Sequence, residues 1–480
     1  MVEVDSVPYD GRLLKSQSCP PPIPQPLVPA DLYSMNTHTF SSDIAILGAG
    51  MAGYGASHHV QAEGLAAVCY DKRPHYGGHT SSFTTPNGFI FDEGPHISFT
   101  KDEGMQDFFA NAVDQEFETV QARFNNYWKG LWIKHPVQVN LNGLPEDLLV
   151  PILEDFFEAY HHPVEPETID NFADWLIASY GRTFAETFPM VYGKKYHTTE
   201  ASNMSTEWLG SRLYTPEPEE VLHGLLAETT PDVHYIDHFR YPSEGGFAAY
   251  MESFPRFDSV AVQPNHEVVA IDPVSRIITF ADGREARHDT IISSIPLPSL
   301  IPLIEGVPED VQSAAAQLAC TQCVIVSLGI DRPDLSDTHV SYFYDPDIRF
   351  ARLSFPHMLS PGNAPEGTGS IQAEVYFSEK YKPLRQSADS LIPVVVEDLI
   401  RTGVLKEEDT ILDQDARVLP YANVIFDLDR APALDVVHGY LDDVDIHYCG
   451  RYGDWDYIWT DESFRSGEQA AQRALSRVPS

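Results

Sequence analysis

The chain has 480 residues, 43% of them hydrophobic and 11% aromatic, which predicts a globular protein of two or three domains. Asp and Glu number 71 against 31 Lys and Arg, and the formal net charge of −40 argues against nucleic acid or an anionic membrane as a partner. No stretch offers the roughly 18 uncharged apolar residues that span a bilayer, and MVEVDSVPYDGRLLKSQ lacks an apolar signal core, so a cytoplasmic protein is expected.

The acids are spread along the whole chain, which reads either as a solubilising surface or as adaptation to high internal salt. In either case a phosphate-binding pocket has to be locally basic. The five cysteines make no disulfide framework in a chain of this size. Cys320 and Cys323 form a C-x-x-C, but no second pair or histidine cluster lies nearby. They read as core thiols, and no metal site is expected.

In chain order, residues 1–40 are a polar, proline-rich leader whose CPPPIPQPLVP favours polyproline conformation. Residues 43–47 then form a short apolar run that predicts a buried parallel strand. Gly48, Gly50 and Gly53 follow at G-x-G-x-x-G spacing, and a helix-length segment begins at once. The first glycine allows the tight turn, the second lets backbone approach a pyrophosphate, and the third lets helix pack on strand. A second apolar run, 65–70, ends at Asp71, where a carboxylate can hold ribose hydroxyls. This pattern predicts a dinucleotide-binding unit.

Past Asp71, KRPHYGGHTSSF carries a second glycine turn at Gly77, Gly78 and His79, and GFIFDEGPHIS gives a short strand. The chain then leaves the alternating strand–helix pattern. Residues 106–235 read as mostly helical, most clearly at Glu103–Ala112, 145–159, 168–180 and 219–226. Two polar–aromatic pieces, GLWIKHPVQVNL and FPMVYGKKYHTTEASNMSTEWLGSRLY, interrupt them. Strand signals return at FRYPSEGGFAAY, where Gly245 and Gly246 precede a predicted helix, and continue through VAVQPNHEVVAID to a hairpin ending in TIISSIP. Between residues 318 and 376 the β-rich runs CVIVSLGI, VSYFYD, RFARLSF and SIQAEVYF follow. The chain ends with a strand, a glycine–aromatic loop and an amphipathic helix.

This layout resembles the FAD-dependent family that unites amine oxidases, protoporphyrinogen oxidases and UDP-galactopyranose mutases. The resemblance rests on DIAILGAGMAGYGAS, YDKRPHYGGH, FDEGPHIS, NHEVVAI, IISSIP and GRYGDWDY, which together run from residue 43 to 457. HPVQVN, TTEASNMSTEWLGSR, FARLSF and RYGDWDY look most like the mutase branch. The resemblance implies an α/β protein, a discontinuous Rossmann-type FAD-binding domain with a helical insert and a β-rich substrate insert. The expected boundaries are an N-terminal arm 1–40, FAD-binding parts 41–105, 236–300 and 441–480, a helical cap 106–235 and a β-rich substrate domain 301–440.

By the same resemblance Gly48, Gly50, Gly53 and Asp71 would hold the ADP half of noncovalent FAD, with Val268 meeting adenine through its backbone. Gly78, Gly450 and Arg451 would approach the isoalloxazine, while Asp461 and Ser463 open the last helix toward ribityl or phosphate oxygens. Cys449 adjoins that loop but lies on a strand, which favours noncovalent flavin. Arg212 and Arg352 match the arginines that grip a substrate diphosphate; the alternative for each is a salt bridge in an acid-rich protein. Tyr421 and Tyr457 would donate hydroxyls to the same phosphates or serve as core aromatics. Gln138 and Asn140 would contact the nucleotide or satisfy local backbone, and His79 would act beside the flavin or merely shape its turn. Two departures stand out. His135 occupies a usual tyrosine position, and Tyr196 lies near where a tryptophan covers the uracil, so the base is left open.

The resemblance therefore implies a mutase that uses reduced flavin N5 to interconvert ring forms of a nucleotide sugar, with NAD(P)H as a candidate reductant. A FAD-dependent oxidoreductase of the amine oxidase or protoporphyrinogen oxidase type is the alternative, and a flavoprotein kept for binding is a third. The partner expected is a small molecule; a homo-oligomer is left open.

Overall fold

Ile44–Leu47 is the middle strand of a five-stranded sheet and is wholly buried, in a computed structural model that describes residues 42–210 and 212–476. All four pairings in this sheet are parallel. The strand order is Ile446–Tyr448, Thr290–Ser293, Ile44–Leu47, Ala67–Tyr70, Val260–Gln263. Three separate pieces of chain thus build one sheet, the discontinuous Rossmann-type arrangement expected from TIISSIP and the C-terminal strand. A parallel sheet needs both faces covered. Helices Met51–Ala62 and Thr460–Ser476 pack together on one face, and Arg430–Asp443 with Glu309–Gln317 covers the other.

The second large element is a seven-stranded sheet ordered Ile411–Leu419, Gln322–Ile330, Gly369–Phe377, Arg352–Ser354, Val340–Phe343, Phe124–Trp128, Leu131–Lys134. It is antiparallel except where Val340–Phe343 runs beside Phe124–Trp128. Its central strands are almost uniformly apolar because helix Ile392–Arg401 covers the face that holds Val324, Val326, Ile371 and Val375.

Three expectations are corrected. Residues 106–235 are not a purely helical cap: Phe117–Gln121 pairs with His238–Pro242, and Phe124–Trp128 and Leu131–Lys134 extend the substrate sheet. Asn126, Tyr127 and Trp128 there are buried, Trp128 against the helical cluster around Phe188. The piece beginning FPMVYGKKYH, expected to interrupt the helices, contains the helix Pro189–His197, with proline at its first position. After Gly246 the chain makes a 3-10 turn, Phe247–Met251, instead of a full helix. The leader 1–40 lies outside the described residues.

Candidate functional site

The glycine loop has the geometry its spacing predicts. Gly48 has φ +103°, and a Cβ there would strike the Ser294 hydroxyl at 2.2 Å. A Cβ on Gly53 would lie 1.9 Å from the Gly48 carbonyl oxygen, so this glycine sets the close helix–loop approach. At Gly50 a Cβ would meet nothing nearer than 3.7 Å. Gly50 caps the helix Met51–Ala62 without a side-chain hydrogen bond, leaving the first-turn N–H groups open to an anion. Asp71, at the end of the second strand, accepts from the Ala49 N–H at 2.7 Å and the Arg73 N–H at 2.8 Å. Each carboxylate oxygen keeps a further lone pair for a ribose hydroxyl. Val268 follows His266, whose N–H donates to the Asp71 carbonyl, so it lies beside the same end of the cradle. These residues fit the ADP half of a dinucleotide.

The second glycine turn closes on the first. The Gly77 N–H donates to the Ala49 carbonyl at 2.8 Å, and Gly78 leaves only 3.1 Å between a Cβ and the Gly50 Cα. His79 presents its ring edge-on to Tyr452, 5.3 Å away. Burial, with Arg73, His96 and Arg451 nearby, pushes the His79 imidazole down to about 3. Burial likewise pushes His96 down to about 4, and its Nδ1 pairs with the Gly94 carbonyl. Both imidazoles are therefore neutral at pH 7. Gly450 has φ +77°, and a Cβ there would lie 2.6 Å from Ala52. Its N–H donates to Ser466 Oγ at 2.8 Å.

Beyond this loop lies a well of arginines and tyrosines. The Tyr457 ring carries the Arg212 guanidinium 4.9 Å from its centroid and the Arg451 guanidinium 5.0 Å away. Arg212 also sits 4.4 Å from the Trp459 ring. It donates to the carbonyls of Trp208 and Tyr457, while its buried Nε has no acceptor among the described residues. Arg451 donates to the carbonyls of Ile458 and Ala422. Neither has a carboxylate partner among the described residues, although acids outnumber bases more than twofold in the chain. An uncompensated guanidinium in such a setting is a ready site for an anion.

Arg352 differs. It makes a two-pronged ion pair with Glu374, at 2.7 and 2.9 Å, and the Tyr376 hydroxyl donates to the same carboxylate at 2.6 Å. The salt-bridge alternative holds for Arg352, and the pair's charges cancel. Sheet register makes the pair, because Arg352 and Glu374 stand opposite each other on antiparallel strands. Tyr196 donates to or accepts from Tyr457 at 2.8 Å. Tyr196, Tyr457, Arg212 and Arg352 are thus brought together.

Several expected ligand contacts are already taken up within the protein. Tyr196 is 7% exposed, stacked by Tyr192 and packed by Tyr376 and His197, so no ring face remains for a base. Gln138 donates to the Tyr214 carbonyl at 2.9 Å. Asn140 is buried, donating to the Pro136 carbonyl and accepting from Thr230. Both amides satisfy local polar groups, and Val137–Val139 within HPVQVN forms a 3-10 turn. The Tyr421 hydroxyl pairs with Ser299 at 2.6 Å, and its ring lies against Tyr452 and Trp455. Asp461 stands in the first turn of the last helix, but the Ser463 N–H already donates to the Trp459 carbonyl. Cys449 is fully buried beside the Ser293 carbonyl, and burial pushes its thiol up. Cys320 and Cys323 are free thiols in or against the core, as expected.

Sequence reasoning missed Glu374, Tyr376, His96 and Trp459. A glutamate in the middle of the apolar strand SIQAEVYF was a readable signal, since a buried acid requires a partner.

Residues 46–112 match the family model described as an NAD(P)-binding Rossmann-like domain. The crystal structure of reduced UDP-galactopyranose mutase superposes with a TM-score of 0.85 at 24% identity, covering 92% of this chain and 97% of that one. The chain has the amine-oxidase-like fold. A proposed protoporphyrinogen oxidase from Exiguobacterium sp. 255-15 gives 0.71 at 14% identity, over 91% and 99% of the two chains. Putrescine oxidase bound to putrescine gives 0.61 at 16%, over 91% and 99%. Across this fold the chemistry differs, so function has to be argued from the site.

Proposed function

We propose that the protein is a flavoenzyme that binds a diphosphate-bearing sugar and interconverts its ring forms, in the manner of the mutase whose fold it shares. The observation that carries this reading is Arg212: a guanidinium held between Tyr457 and Trp459, with a buried Nε unused and no carboxylate partner among the described residues. FAD bound along the two glycine turns would, when reduced, supply a nucleophilic nitrogen at the sugar's anomeric carbon. The chain's own residues do the rest. Gly48, Gly50, Gly53 and Asp71 cradle the ADP half, and the Gly78 and Gly450–Arg451 turns shape the region beside His79. Arg212 and the Tyr457 hydroxyl hold the leaving diphosphate, and neutral His79 and His96 add no competing charge. FAD is held noncovalently, since Cys449 is sealed in the core, and NAD(P)H is the candidate reductant.

A second reading, oxidation of an amine or ring carbon, draws on the cage of Tyr192, Tyr196, Tyr342 and Tyr376. The two separate in a binding experiment. UDP titrated into the flavin-loaded protein should perturb the flavin spectrum. Arg212→Gln should weaken that binding by about 2–4 kcal/mol while flavin content stays the same. UDP binding that ignores Arg212, or no UDP binding at millimolar concentration, would favour the oxidase.

A further inference from the structure

Arg430, the last residue of YANVIFDLDR, is a guanidinium outside the arginine well, 8% exposed, at the start of the helix Arg430–Asp443. Its Nε and Nη2 both donate to the Trp455 carbonyl, at 3.0 and 2.6 Å. Its Nη1 donates to the Glu207 carboxylate at 3.2 Å, and the Phe426 ring centroid lies 4.0 Å away. These two partners belong to the two segments that carry Arg212 and Tyr457. Glu207 adjoins Trp208, whose carbonyl accepts from Arg212 at 3.0 Å. Trp455 ends the π-helical turn Arg451–Trp455, and Tyr457 follows two residues later. Backbone bonds from Ser205 to Phe426 and from Leu428 to Asn203 keep the chain before Glu207 beside the chain before Arg430.

Trp455 needs an anchor. Its φ of +53° is left-handed, a conformation that a bulky side chain rarely adopts and that surrounding contacts have to impose. Its ring is completely buried, and the two donors of Arg430 fix its carbonyl. The same helix meets the turn again where His438 Nε2 donates to the Gly453 carbonyl at 3.0 Å. Beyond Trp455 the chain delivers Tyr457, whose ring lies 4.9 Å from the Arg212 guanidinium and whose carbonyl accepts from it. Arg430 thus spans the pair: it holds the chain leading to Tyr457 and the chain leading to Arg212. Its Nε, Nη1 and Nη2 are all engaged within the protein.

We propose that Arg430 is a positioning residue that sets Arg212 against Tyr457, by holding Glu207 on one segment and the Trp455 carbonyl on the other. This rests on the diphosphate reading above and adds to it the device that fixes its two ligand-facing groups. Arg212 has no carboxylate partner among the described residues, so its direction comes from the carbonyls and rings around it. Those are the groups that Arg430 locks. A guanidinium fork holds two acceptors at once, whereas a lysine ammonium in its place is a single point charge.

The test uses flavin-loaded wild type, Glu207→Ala, Glu207→Gln and Arg430→Lys, with inorganic pyrophosphate and UDP as calorimetric probes. The Glu207 side chain is 54% exposed, so its variants should keep wild-type flavin content and melting temperature. Glu207→Ala should weaken both probes about fivefold, and Arg430→Lys about tenfold. The double variant should be less than additive, since both changes break one link. Glu207→Gln, which still accepts from Arg430, should fall between wild type and Glu207→Ala. A carboxylate acting only through its charge gives the opposite sign, because its removal favours an anion. Without any ligand, the Arg212 Nε–H resonance, shifted by the Tyr457 and Trp459 rings, should move in Glu207→Ala and Arg430→Lys. Probe binding that is unchanged or tighter in Glu207→Ala, or an Arg212 resonance that stays still, overturns the positioning role while the diphosphate reading stands. If wild type binds neither probe, the diphosphate reading falls, and the Arg212 resonance alone decides whether Arg430 sets that guanidinium.

Discussion

Asp71 illustrates how one side chain can organise a loop and, on the proposed function, also meet a ligand. Its carboxylate already organises the glycine turn through the Ala49 and Arg73 N–H groups, so the cradle exists before any dinucleotide arrives. Asp71→Ala should both loosen the turn and remove a ribose acceptor, weakening flavin retention by about 1.5–3 kcal/mol. Flavin content after gel filtration measures this, and unchanged occupancy would remove Asp71 from the site. Asp71 was legible in sequence because a fixed strand–loop–helix spacing places it. For Gln138 and Asn140 the choice between nucleotide contact and local backbone was left open, and the packing of Tyr196 was not legible, because the partners Tyr457, Tyr214 and Thr230 come from distant segments. Whether a ring face or amide is free depends on those tertiary contacts. Arg212 and Arg352 look equivalent in sequence; only sheet register, which puts Glu374 opposite Arg352, separates the compensated arginine from the uncompensated one.

Among the elements, the pairing of helices Met51–Ala62 and Thr460–Ser476 holds the first and last segments of the parallel-sheet unit together. It is a backbone-close contact: a Cβ on Gly467 would lie 1.9 Å from the Ala52 carbonyl oxygen, and one on Gly55 equally close to that of Phe464. Gly467→Ala should therefore force the helices apart and cost about 1–3 kcal/mol. Gly439 lies inside the helix Arg430–Asp443 with open space around it. Gly439→Ala should be neutral or stabilising by about 0.5–1 kcal/mol. Thermal melts of the two variants check the contrast, and equal shifts would mean the helix contact can relax. The helices and strands of the cofactor unit were legible because a buried parallel strand and a glycine fingerprint are local signals. The strands Phe117–Gln121 and Phe124–Trp128 were misread, since short polar–aromatic runs carry weak periodicity and the partners His238–Pro242 and Val340–Phe343 lie more than 100 residues away.

For the whole molecule, pH dependence follows from what folding buries. His197 and His339 are 4% and 2% exposed, and burial pushes them down to about 3 and about 4. Unfolded histidine titrates near 6.5, so the stability from keeping these rings neutral is complete above that pH and is lost as pH falls toward 4. At pH 5 each costs about 2 kcal/mol. Asp92, buried and pushed up to about 6, works the other way: its folded form takes a proton first, regaining about 1 kcal/mol between pH 7 and 5. The histidines win, so the melting temperature should fall between pH 6.5 and 5; a rise would show that carboxylate protonation dominates. The central claim is tested most directly by incubating the flavin-loaded protein anaerobically with a UDP-hexopyranose, with and without prior flavin reduction, and resolving the products by ring size. The account predicts furanose product only after reduction, with no net consumption of reductant, and loss of turnover in Arg212→Gln. Consumption of an electron acceptor in step with an oxidised product, and no ring-form exchange, would contradict it.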